Sequence, residues 1–208
     1  MDAKLELITD KGSNSSERVE WVLNYKKIPF KWTKYPDNPS EDYRQINPLL
    51  RVPSLIHDGK PLSESMAMIE FLEETYPTPS VLPKALWDRA KIREICEIVN
   101  TTIHPIQNSK VAGFFIPGIS KSDIRLFRAR WIAQNLKHLE PLLFQKSLFA
   151  YGETFSAADV YVAPIFRKGL ELGMNPSEFP KFIKHMSHCL SVDEIKRACP
   201  FELPEVIR

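Results

Sequence analysis

The sequence predicts an α+β domain followed by an all-α helical domain, and three observations predict it. Short alternating stretches and helical periodicity interleave before residue 78; prolines at 77, 79 and 83 then break both patterns; from residue 87 onward apolar residues recur only at helical spacing. The expected limits are 1–78 for the first domain, 79–86 for a linker and 87–208 for the helical domain.

In order, residues 5–8 (LELI) alternate like a strand, and 11–16 form a polar turn containing Gly12. A helix follows over 17–24, with Val19, Val22 and Leu23 on one face, Ser15 or Ser16 as its cap, and Ile28-Pro29 beyond its end. Residues 30–35 (FKWTKY) alternate aromatic with polar as a second strand, and 35–47 read as a loop with a short helix over 40–45. Residues 54–57 and 61–62 pair as a hairpin about Asp58-Gly59, and 65–75 form an amphipathic helix with Met66, Ile69, Phe71 and Leu72 apolar. Strand, helix, strand, loop, hairpin, helix is the thioredoxin-like order, in which a right-handed crossover and an antiparallel hairpin share one mixed sheet.

In the second domain, residues 87–100 repeat apolar positions at Ile92, Ile95, Cys96 and Val99, and 122–143 repeat them at Ile124, Leu126, Trp131, Ile132, Leu136 and Leu139. Arg125, Arg128, Arg130 and Lys137 lie mostly off that face, as a solvated surface or a subunit edge would place them. Ser156 and Asp159 have capping-box spacing, with Phe155 set to staple the apolar run 160–166.

Composition excludes several classes. Twenty-eight basic and 26 acidic residues, spread along the chain for a net charge of +2, make no field for nucleic acid or an anionic membrane. The N-terminal stretch MDAKLELITD lacks an apolar signal core, and no run approaches the ~20 residues that span a bilayer, so a cytoplasmic protein is expected. Three cysteines, Cys96, Cys189 and Cys199, without CxxC spacing argue against a disulfide framework or a zinc site, and no metal is expected.

The chain is organised around residues 51–67 (RVPSLIHDGKPLSESMA). Pro53 stands where strand residues begin and has no N–H for a ladder, which indicates a sheet edge or a cis peptide in a tight turn and leaves the Val52 backbone available. A ligand with its own peptide groups would pair there as an added strand, while the first N–H groups of the helix at Ser65 would hold a carboxylate. A short anionic peptide satisfies both. An ordinary hairpin with a serine cap is the other reading of the same residues.

Beyond this stretch, residues 13–19 (SNSSERV), Asn47-Pro48 ahead of Val52-Pro53, Glu64-Ser65, residues 71–77 (FLEETYP), 103–108 (IHPIQN) and the closing Ala198-Cys199-Pro200 resemble, in order and spacing, the cytosolic glutathione transferases, nearest the zeta class of maleylacetoacetate isomerases. The resemblance covers nearly the whole chain. It implies the glutathione transferase fold, with glutathione as co-substrate bound by Val52, Pro53, Glu64 and Ser65, a small electrophile as second substrate, and a homodimer. The family's catalytic serine opens an S-S-C-S run, which matches Ser13; here Asn14 and Ser15 replace the second serine and the cysteine, and Arg18 corresponds to an arginine near the active site. The substrate pocket is implied at His104, with Asn108 and Lys110 on a wall. Where the class carries an arginine for the substrate carboxylate, aligning on Ala163-Pro164 puts Glu171; Arg167, four residues earlier on the same helix face, is the candidate substitute.

The chemistry follows from the thiol. Only the thiolate reacts, and a free thiol near pKa ~8.5 is a few per cent ionised at neutral pH, so a protein must lower that value. A hydroxyl donating to sulfur at a helix N-terminus does so without a formal cation. A glutathione-dependent transferase or cis–trans isomerase is the leading expectation. A dithiol oxidoreductase is disfavoured because the active turn holds no cysteine, and a non-catalytic binding or scaffold protein on the same fold is the rival that Asn14, Ser15 and Glu171 motivate.

Overall fold

A computed structural model describes residues 5–202. The outermost limits of the two expected domains, 1–4 and 203–208, lie outside the described residues. Two compact units are present, one formed by residues 5–81 together with 197–201, the other by 82–196 and 202.

The first unit runs β1 (Leu5–Thr9), α1 (Asn14–Tyr25), β2 (Lys31–Lys34), α2 (Glu41–Ile46), β3 (Ser54–His57), β4 (Lys60–Ser63) and α3 (Ser65–Thr75). Its sheet has the order β2-β1-β3-β4: β1 and β2 are parallel, and β3 is antiparallel to both β1 and β4. The expected thioredoxin-like order is therefore present. Asp58 and Gly59 both take positive φ (48° and 77°), which is what a two-residue hairpin turn needs and why Gly59 is there. α1 and α3 pack together, and Val19, Trp21, Val22, Leu23, Met68, Ile69 and Leu72 are fully buried with Leu5, Leu7 and Leu55 of the sheet.

One expectation is corrected here, and of the two readings of Pro53 one holds. α1 begins at Asn14 with Ser13 as its cap, not Ser15 or Ser16, because the Ser13 side chain already accepts from Ser16 N. Pro53 does follow a cis peptide, but β3 is an inner strand rather than an edge. At the far end of α1, Lys26 is wholly buried and donates from Nζ to the carbonyls of Tyr76 and Pro79 at 2.7 Å each while pairing with Glu73 at 2.7 Å. Glu73 in turn accepts from Ser80 Oγ and Val81 N. Residues 79–81, expected in the linker, are held to α1 and α3 by this knot. Residues 197–201 also belong to this unit, although their helical spacing groups them with what precedes. Asn24 donates to the Ala198 carbonyl at 3.1 Å, and the Phe201 ring meets Trp21 edge-on at 5.3 Å.

The second unit contains α4 (Leu86–Glu97), a π-helical continuation over Ile98–Ile103, α5 (Ser109–Phe115), α6 (Lys121–Leu139), α7 (Ala157–Glu171) and α8 (Pro180–Ser191), with α9 (Asp193–Ala198) leading out of it. α7 packs against α4, α6 and α8, and twelve of its fifteen residues are buried. Its capping box is formed as expected: Asp159 accepts from Ser156 N at 2.7 Å and Ser156 Oγ at 3.0 Å, and also from Ala150 N at 2.7 Å and His185 Nε2 at 2.9 Å. Asp159, His185 and Cys189 are the group of potential metal ligands found among the described residues, but the carboxylate is already occupied by these donors. No helix among the described residues is long and apolar enough to cross a membrane.

Candidate active site

In the first unit the site is built on two helix N-termini. Ser13 caps α1, half-buried, with its Oγ 3.4 Å from Ser16 N. Asn14 is 3% exposed, and neither atom of its amide has a partner among the described residues; the same holds for Ser16 Oγ. Ser15 is half-buried between them. Arg18, one turn on, is fully buried, and its Nη1 lies 3.5 Å from Ser65 Oγ at the first turn of α3. An idle surface arginine is thereby excluded: the guanidinium sits beneath the site and ties one helix start to the other. A buried cation lies below two helix N-termini whose dipoles point the same sign of charge at it, so the location favours negative charge.

Glu64 precedes α3 with φ 71° and ψ 116°, a conformation that favours glycine. Val52 and Pro53 enter β3 after a loop that two residues pin. Tyr43 donates its hydroxyl to the Arg51 carbonyl at 2.8 Å and lies 2.8 Å from Ser54 Oγ, while Asn47 donates from Nδ2 to the same carbonyl at 3.0 Å. Burial pushes the Tyr43 phenol up, which keeps it a donor. The sequence reading passed over Tyr43; an aromatic in an otherwise polar short helix was its one signal.

In the second unit, His104 follows the π-helical turn, half-buried, with Nδ1 3.5 Å from Gln107 Nε2. Asn108 is spent as the cap of α5, accepting from Lys110 N at 3.0 Å, and Lys110 is exposed. Gln107 is buried and accepts at its carbonyl from Arg128 Nε and at Oε1 from Arg128 Nη2 at 3.2 Å. Arg128 is therefore not a purely solvated residue of α6; burial lowers its pKa, and Glu171 opposes that shift. Arg167 is buried and ion-paired with Glu171, which Lys168 also reaches at 2.6 Å. The polar chain runs His104, Gln107, Arg128, Glu171, Arg167. It gathers two of the four pocket candidates, His104 and Arg167, through Glu171, which the sequence singled out, and through Gln107 and Arg128, to which it gave no role in the site.

A family model for the N-terminal domain of glutathione S-transferase matches residues 7–80. The chain is also 32% identical over 201 residues to a probable maleylacetoacetate isomerase of Drosophila melanogaster, covering 93% of this chain and 80% of that one. The chain belongs to the glutathione transferase family. Among solved glutathione transferases, the holo structure of maleyl pyruvate isomerase, a bacterial zeta-class member, superposes with a TM-score of 0.87 at 27% identity, covering 96% of this chain and 99% of that one. A maleylacetoacetate isomerase from Anaeromyxobacter dehalogenans superposes at 0.80 with 28% identity, covering 97% of each chain, and holds glutathione in its active site. Fold, family and zeta-class likeness agree with the sequence expectation.

Proposed function

We propose that this transferase-family protein binds glutathione on its first unit and activates the thiol through Ser13, for transfer to, or cis–trans isomerisation of, a small electrophile. The observation that carries it is a hydroxyl at the cap of a twelve-residue helix whose neighbour Asn14 holds a buried amide with no partner among the described residues. A thiolate beside this terminus would accept from Ser13 and from the amide of Asn14, which restores a donor where the family's pattern has a second serine. Val52, Pro53, Glu64 and Ser65 would align the peptide, with Ser65 at the γ-glutamyl end and Arg18 steadying Ser65 from below. His104, Asn108, Lys110 and Arg167 would contribute to the electrophile's side. Residues 1–78 and 87–208 serve as glutathione and substrate domains in this reading, and a cytoplasmic homodimer is the working assembly.

For isomerisation the steps balance without redox chemistry. The thiolate sulfur bonds to one carbon of an activated cis double bond, and the π pair moves onto the conjugated oxygen. The new single bond rotates; the pair returns and expels sulfur, leaving the trans product and glutathione unchanged. For transfer, the sulfur–carbon bond is kept and a proton or leaving group completes the exchange.

The test follows the thiolate absorbance of bound glutathione against pH in wild type and Ser13→Ala. The expected result is a pKa below that of free glutathione, returning toward it in the variant, with kcat/KM falling ~100-fold. Bound glutathione with an unshifted pKa in the wild type overturns catalysis and leaves the binding or scaffold reading, which the replacement of the family's cysteine by Ser15 favours.

A further inference from the structure

Phe114, Phe115 and Ile116, at the end of α5, are 80%, 74% and 53% exposed. Apolar residues exposed singly are ordinary on a protein surface; three large ones in succession mark a contact surface. The two rings meet each other edge-on at 5.4 Å, and residues 113–118 are exposed throughout. A Cβ added at Gly113 or Gly118 would find nothing within 4 Å, so the turn projects into open space, while Ala112 is buried and α5 packs on α6. The near-neutral total charge conceals a local excess at the same place. From the start of α5 to the end of α6, residues 109–139 include six lysines and arginines and one acidic residue, which leaves the rest of the chain slightly acidic. Lys121, which opens α6 just beyond the turn, and Arg130 are exposed and form no ion pair among the described residues. Asp123, the acidic member, accepts from Ser120 Oγ at 2.6 Å.

We propose that the turn between α5 and α6 is a peripheral contact with an anionic lipid surface. Phe114, Phe115 and Ile116 enter the boundary between headgroups and acyl chains, Lys121 meets the anionic headgroups, and the excess charge of α6 steers the approach. The contact lies on the bilayer and does not cross it. Charge and shape select this partner. A fluid surface conforms to a convex tip, whereas a protein partner needs a matching hollow for each ring. A second copy meeting through the same turn would bring like charges together. The inference stands apart from the glutathione chemistry, and neither depends on the other.

The experiment sediments the full chain with vesicles of phosphatidylcholine alone or of phosphatidylcholine with one third phosphatidylglycerol. Wild type is compared with Lys121→Gln and with the double variant Phe114→Ser, Phe115→Ser; all three positions are exposed, so the fold is kept. Wild type is expected to bind the anionic vesicles roughly tenfold or more tightly than the neutral ones. Lys121→Gln should lose about fivefold on anionic vesicles and nothing on neutral ones. The double variant should lose about tenfold or more on anionic vesicles, because two rings no longer leave water. Equal, negligible sedimentation of wild type with both vesicles overturns the inference, and so does a double variant that binds as tightly as wild type. Without vesicle binding, a concentration-dependent mass that the double variant abolishes assigns the turn to a contact between copies, and retention on immobilised polyglutamate assigns it to an acidic protein; either result overturns the lipid contact.

Discussion

At the residue scale, Lys26 and Glu20 show how differently two charges on α1 are treated. Lys26 has full compensation, with two carbonyls and Glu73 at 2.7 Å each. Replacing it by Met leaves Glu73 buried without its cation, and the expected loss is about 3 kcal/mol in a denaturant titration. Glu20 is only part-buried, and burial raises its pKa above the ordinary 4.5, with the Trp32 hydrogen bond opposing and Glu17 adding to the shift. A raised folded-state value means that the folded chain holds the proton longer than the unfolded one. Its contribution to stability is therefore full below 4.5 and is lost as pH rises through the folded value. Glu20→Gln should flatten the thermal-stability profile above 4.5 and raise Tm at pH 7; an unchanged profile would contradict this. Ser13 and Ser65 were legible as residues of interest because serine at a helix start has a local signature. The buried setting of Arg18 was not, since nothing local tells a guanidinium under Ser65 from one in water.

At the scale of elements, most boundaries were legible from periodicity and turn chemistry: α3 spans Ser65–Thr75 as expected, and the Asp58-Gly59 hairpin and the Ser156–Asp159 capping box are formed. The departures have physical causes. α1 starts three residues early because the polar run 14–16 is stabilised by the Ser13 cap rather than by an apolar face. The stretch 98–103 widens into a π-helical turn that periodicity alone does not encode. α7 offers the sharpest test of packing. A Cβ at Gly169 would stand 2.9 Å from Met174 Cε and 3.0 Å from Ile132 Cγ2 of α6. Alanine gains up to ~1 kcal/mol of helix propensity there, but overpacking costs about 1–3 kcal/mol, so the crowding wins. Gly169→Ala should lose about 1 kcal/mol, and a more stable variant would show that α6 and the Met174 loop yield freely.

At the scale of the whole molecule, the family likeness was legible, because it rests on many weak features in a fixed order. The return of residues 197–201 to the first unit was not, because the contacts that bring it back join residues as much as 174 apart. Phe201→Ala removes the edge-on contact with Trp21, worth about 1 kcal/mol. Its effect should be confined: amides of α1 exchange faster in deuterium while those of α7 keep their protection. Faster exchange in both would mean that the units open together.

That returning segment has a consequence for biosynthesis. The first unit emerges from the ribosome first, yet the residues that cover Trp21 and satisfy Asn24 are translated only after residues 82–196 have been made. At ~5–20 residues per second this leaves the nascent unit incomplete for on the order of ten seconds. During that interval the Trp21 ring lacks the edge-on contact of Phe201, and the Asn24 amide lacks the Ala198 carbonyl.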